Sequence, residues 1–304
     1  MLSLVLPSWA WAVFTVIAAG AQTARNAMQS DLVSRVGTQG ATYVRFLFGL
    51  PFALLFLGIA HLALSEPVPT PSLATLLWAA MGALAQTLAT GLMLLAMRER
   101  SFVVTIAFTK TEPVIVALLS IVLLKEVPSI LTMVAIGVAT AGVLLMSWPK
   151  SSPSGERSGM RAALIGLASG ACFGASATSY RGAIIELGAG SSFIMTASLT
   201  MVLGLIIQCV AILAWLVLQD RPLLMALLKN WRPSLFAGFM GALASQFWFL
   251  GFAITSAARV RTLALVEVLF AQIVSRRIFK ERMSRAELGG MALIVVGVIL
   301  LLNG

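Results

Sequence analysis

Apolar runs of roughly the length that crosses a lipid bilayer follow one another along this sequence almost without a break, and no other feature restricts its fold as much. A spanning helix takes about 20 mostly apolar residues, because hydrocarbon offers no water to satisfy a stray backbone N–H or C=O. Ten such runs can be marked, over 7–26, 38–62, 73–97, 102–124, 129–147, 161–181, 191–218, 234–256, 260–279 and 285–302. Only 11% of the residues are charged, against roughly 25% in a soluble domain. The reading is an all-α integral membrane protein of ten transmembrane helices.

The formal net charge of +10 would suggest nucleic acid as a partner for a soluble chain. Here most Lys and Arg fall in the short gaps between apolar runs, which the positive-inside bias of membrane proteins explains, so no nucleic-acid partner is expected. Arg25 is the first basic residue, so no positive region precedes the first run, and that run is expected to stay as a membrane helix. Cys172 and Cys209 both lie inside apolar runs and read as buried free thiols. His61, the single histidine, ends an apolar run and reads as interfacial. Neither a metal site nor a cofactor is expected.

A segment rich in Pro, Ser and charge, 148–160, lies near the midpoint with five runs on either side, over 1–147 and 161–304. The two sides repeat. Glu112 matches Glu267, Lys125-Glu126 matches Lys280-Glu281, and Gly142-Val143-Leu144-Leu145 matches Gly297-Val298-Ile299-Leu300, all at one offset of 155. Gly82-Ala83-Leu84-Ala85 mirrors Gly241-Ala242-Leu243-Ala244. An odd number of spans per half makes the second half enter the membrane from the opposite side, so the fold expected is two five-helix inverted repeats. In transporters built this way the substrate site lies near the midplane where the halves meet.

The pattern Glu112-Pro113, then Lys125-Glu126, then Gly142-Val143-Leu144-Leu145, with its second copy from Glu267 to Leu300, resembles the EamA-type domain of the drug/metabolite transporter superfamily, present twice. The second copy has Val268 where the first has Pro113, so it lacks the proline that would kink its helix. The resemblance implies ten-helix carriers, many of them exporters of amino acids and other metabolites, with a cavity between the halves. It implies a multi-pass protein of the inner (cytoplasmic) membrane, a monomer or homodimer, with a small-molecule substrate and protons as a candidate coupling ion.

An ionisable side chain deep in a spanning helix costs about 2.5–3.5 kcal/mol and usually faces a cavity or a partner. Lys110 and Glu112 lie about eight to ten residues into the fourth run, roughly 12–15 Å from its start. Two residues apart, they point to opposite sides of the helix, so each needs its own partner. Glu267 holds the matching place in the second half. These three are candidates for binding a substrate or a proton. Gln22, Arg25, Asn26 and Gln29 form one polar stripe at the end of the first helix, with Ser176, Tyr180 and Arg181 as counterparts on the sixth. Gln86 and Gln246 lie mid-helix, and Trp248 stands two residues from Gln246. The candidate site is therefore Glu112, Glu267, Lys110, Gln22, Asn26, Gln86, Tyr180, Gln246 and Trp248. Arg45 is expected to snorkel to the interface, and Arg259, Arg261, Glu126 and Glu281 to lie at the membrane surface. Gly166, Gly170 and Gly174 make a small-residue packing face.

The function expected is a secondary transporter, an exporter of amino acids or amphipathic amines, working by alternating access with protons or by exchange. No Gly-rich phosphate loop with Lys-Ser/Thr supplies an ATP motor. A zinc hydrolase motif needs more than one histidine, and the sole aspartates, Asp31 and Asp220, lie at helix ends, so an intramembrane enzyme is not expected. A channel or a scaffold is the alternative. Orientation is open: the basic gaps place both termini outside by the positive-inside rule, whereas the resemblance implies termini inside.

Overall fold

The computed structural model describes residues 7–99, 109–146, 156–188, 190–270 and 285–304. Among the described residues every regular element is helical. In chain order they are α1 (Ala10–Leu47), α2 (Leu50–Leu64), α3 (Leu73–Glu99), α4 (Glu112–Leu119) with a π-helical turn Ser120–Leu124, and α5 (Ile130–Met146). Then follow α6 (Glu156–Leu187), α7 (Phe193–Gln219), α8 (Arg221–Lys229), α9 (Trp231–Ile254), α10 (Ala257–Leu263) and α11 (Arg285–Leu302). Five stretches among the described residues are long and apolar enough to cross a membrane: Leu32–Leu64, Leu73–Met93, Phe193–Gln219, Trp231–Ile254 and Arg285–Leu302. Shorter apolar helices cover Glu112–Leu124 and Ile130–Met146. Residues 102–108 and 271–279 of the expected spans, and Lys280-Glu281, lie outside the described residues.

The burial pattern is that of a protein solvated by lipid. Leu62, Ile130, Leu218 and Val122 are more than two-thirds exposed, while Arg25, Glu112, Gln208 and many Ser and Thr residues are buried. Polar groups turn inward because hydrocarbon cannot pair them, and apolar side chains turn outward because lipid accepts them.

Several element boundaries differ from those expected. The first helix runs on past residue 26, through residues 22–35, and breaks at Gly37, whose φ of 70° and ψ of 174° suit glycine; α1 is thus two helices in line, the second beginning where the second run does. The polar side chains do not end the helix, because their partners lie within the protein. Helix α6 already starts at Glu156, inside the segment read as a linker. An extra short helix, α8, joins α7 to α9; the Asp220 carboxylate caps it by accepting from Leu223 N–H at 3.1 Å.

The three most extensive helix pairings each join the N-terminal half of the chain to the C-terminal half: α1 with α9, α3 with α6, and α5 with α11. Small residues allow the close crossings. A Cβ on Gly142 of α5 would lie 2.6 Å from Gly290 O and 2.9 Å from Ile294 N of α11. A Cβ on Gly297 of α11 would lie 3.0 Å from Ala135 O and 2.9 Å from Ala139 N of α5. These two sets of contacts are the same contact with the halves exchanged, shifted by 155. Residue numbers rise along one helix as they fall along the other, so α5 and α11 run antiparallel. The α3–α6 crossing is also antiparallel: Ser169 Oγ donates to Ala89 O and Ser176 Oγ to Gly82 O, at 2.8 and 2.9 Å. Gly174 of α6 fits against Ile115 of α4.

Candidate substrate cavity

Two helix interruptions set the polar centre. The chain turns at Lys110 and Thr111 and α4 then opens on Glu112 with Pro113 behind it. It turns again at Ala264 and Leu265, and a second helical stretch, 266–270, carries Glu267. The second break forms with Val268 in the proline's place, so proline is not what makes it. Each glutamate thus stands in the first turn of a half-helix, where the helix dipole favours a carboxylate. Irregular backbone at membrane depth is tolerated where it lines a cavity.

Each glutamate takes a cation from the opposite half. Lys110 Nζ donates to Glu267 Oε2 at 2.8 Å. Arg261 Nη2 donates to Glu112 Oε2 at 2.6 Å, and its Nε lies 2.5 Å from Oε1. Glu267 also accepts from Gln22 Nε2 at 2.8 Å and from Asn26 Nδ2 at 3.2 Å. Gln22 Oε1 accepts from Trp248 Nε1 at 3.2 Å, and the Arg261 guanidinium lies 4.9 Å above the Trp248 ring. Asn26 Oδ1 accepts from Arg25 Nη2 at 2.8 Å. One continuous network therefore runs from Arg25 through Asn26, Glu267, Gln22, Trp248 and Arg261 to Glu112.

This network borders a cavity of about 230 Å³ between the halves. Helix α1 supplies Gln22, Arg25, Asn26, Gln29, Thr42 and Arg45; α3 supplies Gln86, Thr90 and Met93; α6 supplies Phe173, Ser176 and Tyr180; and α9 supplies Ser245, Trp248, Phe249 and Phe252. Lys110, Glu112, Arg261 and Glu267 complete the wall. Ligand sites commonly join an apolar lining to a few convergent polar groups, and drug-sized ligands fill about 300–1,000 Å³. This cavity suits a smaller molecule.

Of the residues singled out in the sequence, Glu112, Glu267, Lys110, Gln22, Asn26, Gln86, Tyr180 and Trp248 meet here. Gln246 does not; it is buried away from the cavity and its Nε2 donates to Ser198 Oγ at 2.8 Å. Gln86 is anchored as well as lining, since Gln208 Nε2 donates to its Oε1 at 2.9 Å. Tyr180 is 2% exposed and fits into space left by Gly82 and Gly204.

Of the charged residues expected at the surface, Arg45 and Arg261 border the cavity, while Arg259 and Glu126 are partly exposed and paired. Arg45 is 9% exposed and lies over the Phe46 ring at 4.8 Å. Arg261 is the partner of Glu112. Arg259 packs over Trp11 at 5.0 Å and donates to Leu301 O at 3.3 Å. Glu126 accepts from Arg181 Nη2 at 2.8 Å, a third ion pair between the halves. Arg261 sits at the start of an apolar run, where sequence favours the membrane surface; Glu112 of the other half holds it at the cavity instead. Arg45, Arg261, Ser245, Thr42, Thr90, Met93 and the aromatic residues Phe173, Phe249 and Phe252 are among the lining residues that sequence reasoning missed. Only Arg45 gave a signal, as a charge within an apolar run. His61 is exposed as expected, with its ring Nδ1 2.6 Å from Glu66 O, and the two cysteines are free.

A polar, charged cavity thus lies between two packed helical halves, inside an apolar shell. The chain belongs to the EamA-like transporter family, whose model matches residues 2–148 and again 160–303. A protein of known crystal structure is 13% identical, covering 96% of this chain and 96% of its own, with a TM-score of 0.68. That likeness is one of fold alone. The comparison with curated proteins gave no match.

Proposed function

We propose that this protein is a secondary transporter that exports small metabolites across the cytoplasmic membrane by alternating access, coupled to protons or working by exchange. The observation that carries the reading is the pair of repeat-related glutamates, Glu112 and Glu267, each held by a cation from the opposite half beside a cavity between the halves. Such crossed pairs can break and re-form as one half rocks against the other, tying occupancy of the cavity to the positions of both halves.

The chain is read as ten spans in two five-helix repeats, 1–147 and 161–304, of opposite topology. The equivalent helices α5 and α11 run antiparallel through exchanged contacts at Gly142 and Gly297, which supports inversion. Amino acids and amphipathic amines are the expected substrates. Both carboxylates already hold a cation, so an amine must displace Lys110 or Arg261 to reach one.

Proteoliposome flux with a panel of labelled amino acids and amines tests the reading. The native chain shows saturable flux, and Glu112→Gln or Glu267→Gln lowers it at least tenfold in protein that stays folded. Full flux in both variants removes the glutamates from the mechanism, and no saturable flux of any solute counts against the transporter reading.

A further inference from the structure

Among the described residues that border the cavity, four are cationic, Arg25, Arg45, Lys110 and Arg261, and two are anionic, Glu112 and Glu267. Lys110 and Arg261 each hold one glutamate, which leaves two arginines in surplus. Arg25 is 4% exposed; its Nη2 donates to the neutral amide of Asn26, and its buried Nε has no hydrogen-bond partner among the described residues. Arg45 is 9% exposed, lies over a phenyl ring, and has no carboxylate against it among the described residues. Both flank Gly241 of α9, where a Cβ would lie 3.4 Å from Arg25 Cδ and 3.5 Å from Arg45 Cβ. Both arginines therefore pack against the same point of α9.

Two buried cations with no carboxylate at hydrogen-bond distance among the described residues are expensive to keep in a membrane unless something else pairs with them. We propose that Arg25 and Arg45 are the recognition site for the anionic head of the substrate, and that the substrate is a small organic acid with an apolar body rather than an amine. The inference rests on the transporter reading above and narrows its substrate class. A guanidinium presents a planar fork of donors that matches a carboxylate in two parallel hydrogen bonds. The unpaired Nε of Arg25 is one such donor. Trp248, Phe249, Phe173 and Phe252 line the same cavity and take the apolar body. An amino acid meets the head requirement through its carboxylate; a simple amine offers nothing to the arginines and adds a fifth positive charge.

Matched ligands test this on the purified full-length chain in lipid nanodiscs, read by thermal unfolding. Phenylacetate and benzoate raise Tm in a saturable way, while phenethylamine and benzylamine do not. Arg25→Gln and Arg45→Gln each weaken the apparent affinity for the acids at least tenfold, Arg45→Lys weakens it less, and Arg259→Gln, outside the cavity, leaves it unchanged. Because an unpaired buried charge is removed, Tm without ligand stays the same or rises in Arg45→Gln, so loss of acid response is not loss of fold. The assignment is overturned if amines stabilise as well as acids, if no acid gives a saturable response, or if the response survives in the double variant Arg25→Gln/Arg45→Gln. Flux in proteoliposomes separates the two readings: transport of amines alone overturns the anion site and leaves the transporter standing, whereas no flux of either charge overturns both.

Discussion

Glu112 and Glu267 are buried at 4% and 7% exposure, and their charges are tolerated there because each meets a cation at hydrogen-bond distance. Removing one partner of a buried pair leaves the other charge unmatched, at a cost of about 3–5 kcal/mol. Arg261→Gln is therefore expected to destabilise the protein by about that much, and Glu112→Gln to act similarly. The double variant should recover most of the loss, since no charge is left unmatched. Denaturation of the four proteins in detergent measures the coupling; additive losses would mean the pair does not hold the halves together. Glu112, Lys110 and Glu267 were legible in the sequence because a charge in the middle of an apolar run has no cheap place to go. Arg261 was not, because a charge near a run's end has an inexpensive alternative at the membrane surface, and only the opposite half decides between them. Gln246 shows the reverse error: an amide in mid-helix is as easily satisfied by Ser198 as by a ligand.

At the scale of elements, the apolar runs marked the helices well where polar residues and turns coincide, as at α5, α7 and α9. They failed where a helix is carried through polar residues by its neighbours, as in α1 past residue 26, and where a break has no proline to announce it, as before Glu267. The crossing of α5 and α11 depends on glycines that bring backbone to backbone. Gly142→Ala puts a methyl 2.6 Å from Gly290 O. Because the obstacle is backbone, the helices must part, at a cost on the order of 1–3 kcal/mol. Gly137, on the same helix, has open space where an added methyl would stand, with no atom within 4 Å, so Gly137→Ala should be neutral or slightly stabilising. Thermal unfolding of the two variants checks this; equal effects would show that the crossing is looser than described.

Over the whole molecule, the constant offset of 155 between matched residues already told of two similar halves. What it could not tell is how they meet, because a repeat fixes likeness and not contact. The helix pairings supply that: α1 with α9 and α3 with α6 are one pairing made twice, and α5 with α11 pairs an element with its own counterpart. The proposed alternating access requires two related conformations of this arrangement, one opening to each side of the membrane. The direct test is solvent access to the cavity from both sides. With Cys172→Ser and Cys209→Ala as background, Met93→Cys places one thiol on the cavity wall, and membrane-impermeant thiol reagents are applied separately to right-side-out and inside-out vesicles. The account predicts labelling from both sides, with a transported solute slowing both reactions. Labelling from one side only, unchanged by any solute, would contradict it.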